Sequence, residues 1–287
     1  MNRSIKKSLL LIMCIVVVTI ATALPPLARA DADPSNGGNN SNTPIKVGYA
    51  VITPTSTATA GLVVFETFGE RQGKNFLAVG VLPSIMTTRA ALFANANGRL
   101  SRNLGVAIVN PSTLPANITL ELRNEDGAIL ATVPFVLDAH LQTARFVTEF
   151  FENQSSVPED FTGTLVISSD IPIAVVGLRS RGSNFSTMPA TIFGPVAPVP
   201  LIDTNVGGPA AVILAQFASG GGWATEIVIA NFGPDPLTVR VDLFTPDGSP
   251  LSTTLNNQTG SSFQGIIVPA GGAVTLAPRD DAGNSDF

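Results

Sequence analysis

The sequence predicts an all-β protein: two antiparallel β-sandwich modules with one short helix, following a cleaved signal peptide. Three observations carry that prediction. Only 13% of the residues are charged, and Val, Ile, Leu, Thr, Gly and Pro dominate the rest, a mix that favours strands and turns over helices. Apolar and polar residues alternate with a period of two over many short runs. Turn residues separate those runs at regular intervals, as in sandwiches.

The N-terminus sets the compartment. Arg3, Lys6 and Lys7 precede an almost unbroken apolar run from Leu9 to Ala23, and Leu27-Ala28-Arg29-Ala30 offers small residues for cleavage after Ala30. This is the layout of a secretory signal covering residues 1–30. A retained anchor fits less well, because the run falls short of the ~20 residues a spanning helix needs and Pro25-Pro26 interrupts it. Cys14 lies inside the apolar run, without lipoprotein surroundings. The expected location is therefore secreted, extracellular or at the cell surface, with the periplasm as a variant. Residues 31–45 hold almost no apolar side chain and read as a disordered lead.

Processing changes the charge. The leader carries four of the 16 basic residues and none of the 21 acidic ones, so the formal charge moves from −5 to −9. An acidic surface repels nucleic acid and anionic headgroups, and neither is expected as a partner. Nothing after the leader is long and apolar enough to span a bilayer as a helix. Cys14 is the single cysteine, so the remaining 257 residues must be held by buried apolar area rather than disulfides.

Two half-modules each occur twice. A tail half begins at Gly48-Tyr-Ala-Val-Ile-Thr53 and again at Gly163-Thr-Leu-Val-Ile-Ser168. Each continues through a second aliphatic run to Gly-x-Asn-Phe, ending at Phe76 and Phe185. A head half contains Gly105-Val-Ala-Ile-Val-Asn110 or Glu226-Ile-Val-Ile-Ala-Asn231. An alternating strand follows, Ile118 to Arg123 or Leu237 to Asp242, and then an Asp-Gly turn at Asp126-Gly127 or Asp247-Gly248. Asp-Gly between alternating runs signals a hairpin, because Gly accepts positive φ without steric cost.

The order tail, head, tail, head allows two phasings. One makes a central sandwich of 84–190, a Pro-rich linker over 191–209, and a split second sandwich from 46–83 plus 210–279. The other runs as 46–155 and 161–280. Linker lengths favour the first. Orphan halves would expose sheet edges, so 46–83 is expected to complete 210–279 within one chain; the same closure between chains would give head-to-tail self-association. Thr143 to Asn153, with Phe146 and Phe150 four apart, reads as the short helix.

Chemistry is scarce. His140 is the sole histidine and no Gly-x-Ser-x-Gly elbow exists, so a hydrolase triad has little to build on. With no cysteine after the leader, a zinc or copper site is not expected. The acid pairs Glu125-Asp126, Glu159-Asp160 and Asp280-Asp281 have the neighbours of turn residues. No catalytic residue, metal ligand or cofactor is expected. Gly220-Gly221-Gly222 precedes a strand rather than a helix and so reads as a tight turn, not a phosphate cradle. Trp223 and Tyr49, the only residues of their kinds, are the candidates for contact with a ligand such as a sugar ring, against the alternative that they sit in the core.

The head pattern around Gly-Gly-Gly-Trp223 to Asn231, with Pro-Asp247-Gly248-Ser-Pro-Leu, resembles a repeat module of uncharacterised secreted bacterial proteins. The tail pattern from Gly48 through Gly80-Val-Leu-Pro83-Ser84 resembles the segment that follows such heads. The resemblance implies Ig-like β-sandwich modules at a cell surface and implies no enzymatic activity. The expected function is structural or adhesive, with extracellular proteins or glycans as partners. A carbohydrate-binding protein is the alternative.

Overall fold

The computed structural model describes residues 44–56, 61–72, 75–182, 184–231, 233–270 and 272–278. The leader 1–30, residues 31–43 of the lead, and the pair Asp280-Asp281 lie outside the described residues. In chain order the first strands are β1 (Lys46–Pro54), β2 (Leu62–Gln72), β3 (Asn75–Val81), β4 (Met86–Ala96), β5 (Arg102–Val109), β6 (Ala116–Asn124), β7 (Ile129–Leu137) and β8 (Gln142–Phe146). The helix α1 (Val147–Phe150) comes next, then β9 (Phe161–Arg181), β10 (Asn184–Met188), β11 (Thr191–Ile192), β12 (Val196–Ala197), β13 (Val199–Asp203) and β14 (Val206–Gly208). The chain closes with β15 (Val212–Ser219), β16 (Trp223–Asn231), β17 (Leu237–Phe244), β18 (Thr253–Leu255), β19 (Gln258–Gly260), β20 (Ser262–Val268) and β21 (Ala273–Leu276).

The protein is all-β and antiparallel, with one short helix. One sandwich packs the sheet β15-β1-β17-β20 against the sheet β21-β16-β2-β3. Its core holds Ala50, Ile52, Val64, Phe217, Ile227, Ile229, Val239 and Leu243. The strands of residues 46–81 and those of 212–276 thus build one unit: β1 lies between β15 and β17, and β2 pairs with β16 along Leu62–Glu70.

The other sandwich is a nine-stranded sheet folded over itself by β9. Residues 163–169 of β9 pair with β4 and β6; residues 174–181 pair with β5 and β10. Between them stands Pro172, whose missing donor suits a change of partner. The core comprises Leu92, Leu104, Val106, Ile118, Leu120, Leu122, Leu165 and Ile167. In β6 the buried residues Ile118, Leu120 and Leu122 alternate with the more exposed Asn117, Thr119, Glu121 and Arg123, as a half-buried strand requires.

Two expectations need correction. The helix over 143–153 is shorter: Gln142–Phe146 pairs with β5 as strand, and only Val147–Phe150 is helical. Glu149 accepts from the Phe146 amide at 2.8 Å and holds the first turn. The Pro-rich segment 191–209 is more than a connection. Its β11 and β12 add to β4, and β13 pairs with β14 as a hairpin. Prolines are tolerated there because edge positions leave donors unused.

A third apolar cluster lies where the sandwiches meet. Tyr49, Val51, Ile213 and Ala215 from one pack with Met86, Val109 and Ala174 from the other, and with Val199 and Val206. Strand β1 is therefore buried on both faces: Ala50 and Ile52 point into its own sandwich, Tyr49 and Val51 into the seam.

Candidate functional site

Trp223 opens β16 just after the glycine turn. Gly220, Gly221 and Gly222 all have positive φ, and the amides of Gly220 and Trp223 bond each other's carbonyls at 3.0 Å. Two of the turn's amides thus close a hairpin that leads straight into a strand rather than into a helix N-terminus. The indole then falls in phase with Ile227 and Ile229 on the inner face. It is 2% exposed and packs on Phe68 (4.8 Å between centroids) and Phe185 (5.5 Å). Tyr49 is fully buried, stacks on Phe244 at 5.0 Å, and donates its hydroxyl to the His140 carbonyl at 3.0 Å. Burial pushes its phenol above the ordinary range. Neither ring has a face to offer a sugar. The two are apart, one in the cluster with Phe68 and Val81 and one in the seam.

His140 sits at φ 62 in the turn before β8, where its carbonyl, rather than its ring, meets Tyr49. Glu125 and Asp126 are exposed in the β6–β7 turn. Asp160 accepts from Asn97 Nδ2 (3.0 Å) and the Gly98 amide (2.8 Å), tying two loops. Among the described residues no group of three or more His, Cys, Asp or Glu side chains converges.

Several polar residues missed in the sequence matter more. Asn110 and Asn231 end the two head strands, and both are fully buried. Asn110 Nδ2 donates to Leu114 O and Leu137 O, while Oδ1 accepts from the Ser112 amide. Asn231 repeats this with Asp235 O, Val268 O and the Gly233 amide. The signal was available: both head strands close on Asn at the same position. Gln142, 3% exposed, reaches from β8 across the seam; its Nε2 lies 3.0 Å from Gly48 O and 2.6 Å from Ala215 O. Glu66 is fully buried on β2 with neither carboxylate oxygen bonded. Burial drives its pKa well above the usual carboxylate range.

Among the described residues two open features stand out. An apolar groove of about 230 Å³ runs beside the 80–85 crossover, and the Ser84 hydroxyl in its lining has no partner. A polar cleft of about 500 Å³ lies at the far end of β1, between Thr53, Pro54, Leu201, Asn205, Arg240 and Gln264. Arg240 is the charged residue among those lining that cleft. Its Nε and one Nη bond both oxygens of Asp242 at 2.8 and 2.7 Å, and the same Nη lies 3.2 Å from Ser262 Oγ. The bond to Asp242 holds the guanidinium pKa above its usual range.

No family model and no curated protein matches this chain. Solved structures show faint likeness. The Anabaena sensory rhodopsin transducer aligns with 19% identity over 32% of this chain and 95% of its own, at a TM-score of 0.27. Thermotoga maritima 1070 aligns with 12% identity over 44% of this chain and 92% of its own, at 0.26. Likenesses at these scores carry no argument about fold or function.

Proposed function

We propose that this is a non-enzymatic secreted or cell-surface protein whose role is structural or adhesive. The carrying observation is the seam. Two sandwiches share a buried apolar cluster crossed by Gln142 and Tyr49, so they present their outer surfaces as one body rather than as beads on a tether. A surface built this way suits recognition or spacing outside the cell, where the leader would send it. Its Ig-like character is part of the same proposal and rests on the sequence resemblance.

The test is expression of the full chain behind its own leader. The processed protein should appear outside the cytoplasm with residues 1–30 removed, and beads coated with it should adhere to cells or matrix saturably. Retention in the cytoplasm with the leader intact would end this reading. Carbohydrate binding is kept as a second reading because of the polar cleft, with Trp223 and Tyr49 no longer its carriers.

A further inference from the structure

The cleft around Arg240 draws its walls from four separate stretches: the end of β1, the β13–β14 hairpin, β17, and the bulge in β20. That bulge is a specific device. Val239 pairs with Ile266 and Val241 with Phe263, so Arg240 stands opposite two residues, Gln264 and Gly265, instead of one. A bulge turns side chains away from the regular pleat, and such bulges recur beside binding sites. Gly265 has φ 66, the left-handed conformation that glycine accepts freely. On its other side Arg240 pairs with Thr53, whose hydroxyl accepts from the Gly207 amide at 3.1 Å and fixes the hairpin over the strand.

The polar groups facing this space are donors and acceptors without net positive charge. Asp242 neutralises Arg240 through two charge-assisted bonds, and Asp203 adds a further negative field. The bonds to Asp242 and Ser262 use Nε and one Nη, leaving the second Nη for a ligand. Asn205 is exposed at the tip of the β13–β14 hairpin, and Gln264 commits its Nε2 to Ser262 Oγ at 3.1 Å and leaves its carbonyl oxygen over. Pro54 and the 60%-exposed Leu201 add apolar surface. The volume lies in the roughly 300–1,000 Å³ range of ligand clefts.

An anion would find the guanidinium already paired with Asp242 and within the negative field of Asp203. A purely apolar ligand would strand the amides and the guanidinium without partners. A molecule with hydroxyls on its rim and C–H groups on its face satisfies both kinds of wall. We propose that the cleft binds a neutral saccharide unit, with Arg240, Asn205 and Gln264 hydrogen-bonding its hydroxyls while Pro54 and Leu201 cover its C–H face. This rests on the carbohydrate reading and places it at a defined site.

The experiment titrates isotope-labelled full chain with glucose, galactose, mannose, N-acetylglucosamine and their neutral disaccharides, with sialic acid and a heparin disaccharide as anionic probes. At least one neutral sugar should shift the amide signals of residues 204–207 and 264–265 saturably. Its affinity should fall about tenfold in Asn205→Ala and in Gln264→Ala, the loss of roughly one hydrogen bond each. Both side chains are exposed, so the thermal midpoint should stay put and report intact folding. Unchanged neutral-sugar binding in both variants would remove the cleft as the site while sparing the carbohydrate reading. Preference for the anionic probes would overturn the charge argument. No binding by any probe at millimolar concentration would overturn the cleft and the carbohydrate reading together.

Discussion

Glu66 occupies the inner face of β2 between Val64 and Phe68, opposite Ile227 on β16 and Val81 on β3. Among the described neighbours on that face the other titratable group is Glu70, further along the strand and also buried. Among the described residues no cation is placed to hold an anion there, so burial favours the protonated carboxyl in the folded protein. In the unfolded chain it ionises near pH 4.3. Folding therefore takes up a proton above that value. No penalty applies below the unfolded pKa; stability then falls as pH rises toward the raised folded value, and beyond it the loss is complete. Glu66→Met removes both the charge and the two unbonded oxygens, and should stabilise by about 1–3 kcal/mol at neutral pH. Thermal midpoints at pH 4 and pH 8 check this. A gap between variant and wild type that does not widen with pH would refute the assignment.

At the scale of elements, the same close contact recurs in both sandwiches. Gly48 on β1 faces the Phe244 carbonyl on β17, and an added Cβ would lie 1.7 Å from that oxygen. Gly163 on β9 faces the Arg123 carbonyl on β6, where the distance would be 1.8 Å. Backbone cannot yield by that much, so Gly163→Ala should cost more than about 3 kcal/mol, at or beyond the upper end of ordinary overpacking. Gly80→Ala meets nothing within 4 Å and should stay within about 0.5 kcal/mol. Denaturant midpoints of the pair compare them directly, and equal midpoints would show that the strands can part without cost. Much of this level was legible in the sequence. Alternation placed Ile118, Leu120 and Leu122 on one face, and Asp126-Gly127 and Asp247-Gly248 are turns with positive φ at each glycine. The burial of Trp223 was also written in its phase with Ile227 and Ile229; residue type alone suggested a platform that phase denies. The helix was misjudged in length because Phe146 and Phe150, four apart, fit either reading until β8 pairs with β5. The polar cleft left no local mark at all. Its walls come from residues 53–55, 201–207, 240 and 264–265, brought together only by strand order.

At the scale of the whole molecule, β1 binds the two sandwiches to one fate. Its even residues Ala50 and Ile52 complete one core, and its odd residues Tyr49 and Val51 complete the seam. Removing the strand would open both at once, which argues for a single cooperative transition instead of two. Gln142 contributes the polar half of this coupling. Its amide reaches Gly48 O and Ala215 O, and its backbone amide donates to Pro246 O at 2.6 Å. Gln142→Ala leaves two buried carbonyls without that donor, a cost of about 2 kcal/mol or more. The loss falls on the contact between sandwiches and not inside either core. The calorimetric and van't Hoff enthalpies of the wild type should therefore agree, and those of Gln142→Ala should diverge as the transition splits. The exposed hairpin residue Gln258, replaced by Ala, should leave the agreement intact. Two resolved transitions in the wild type would mean that the seam joins the sandwiches without coupling their stability, and the one-body surface proposed for recognition would lose its physical basis.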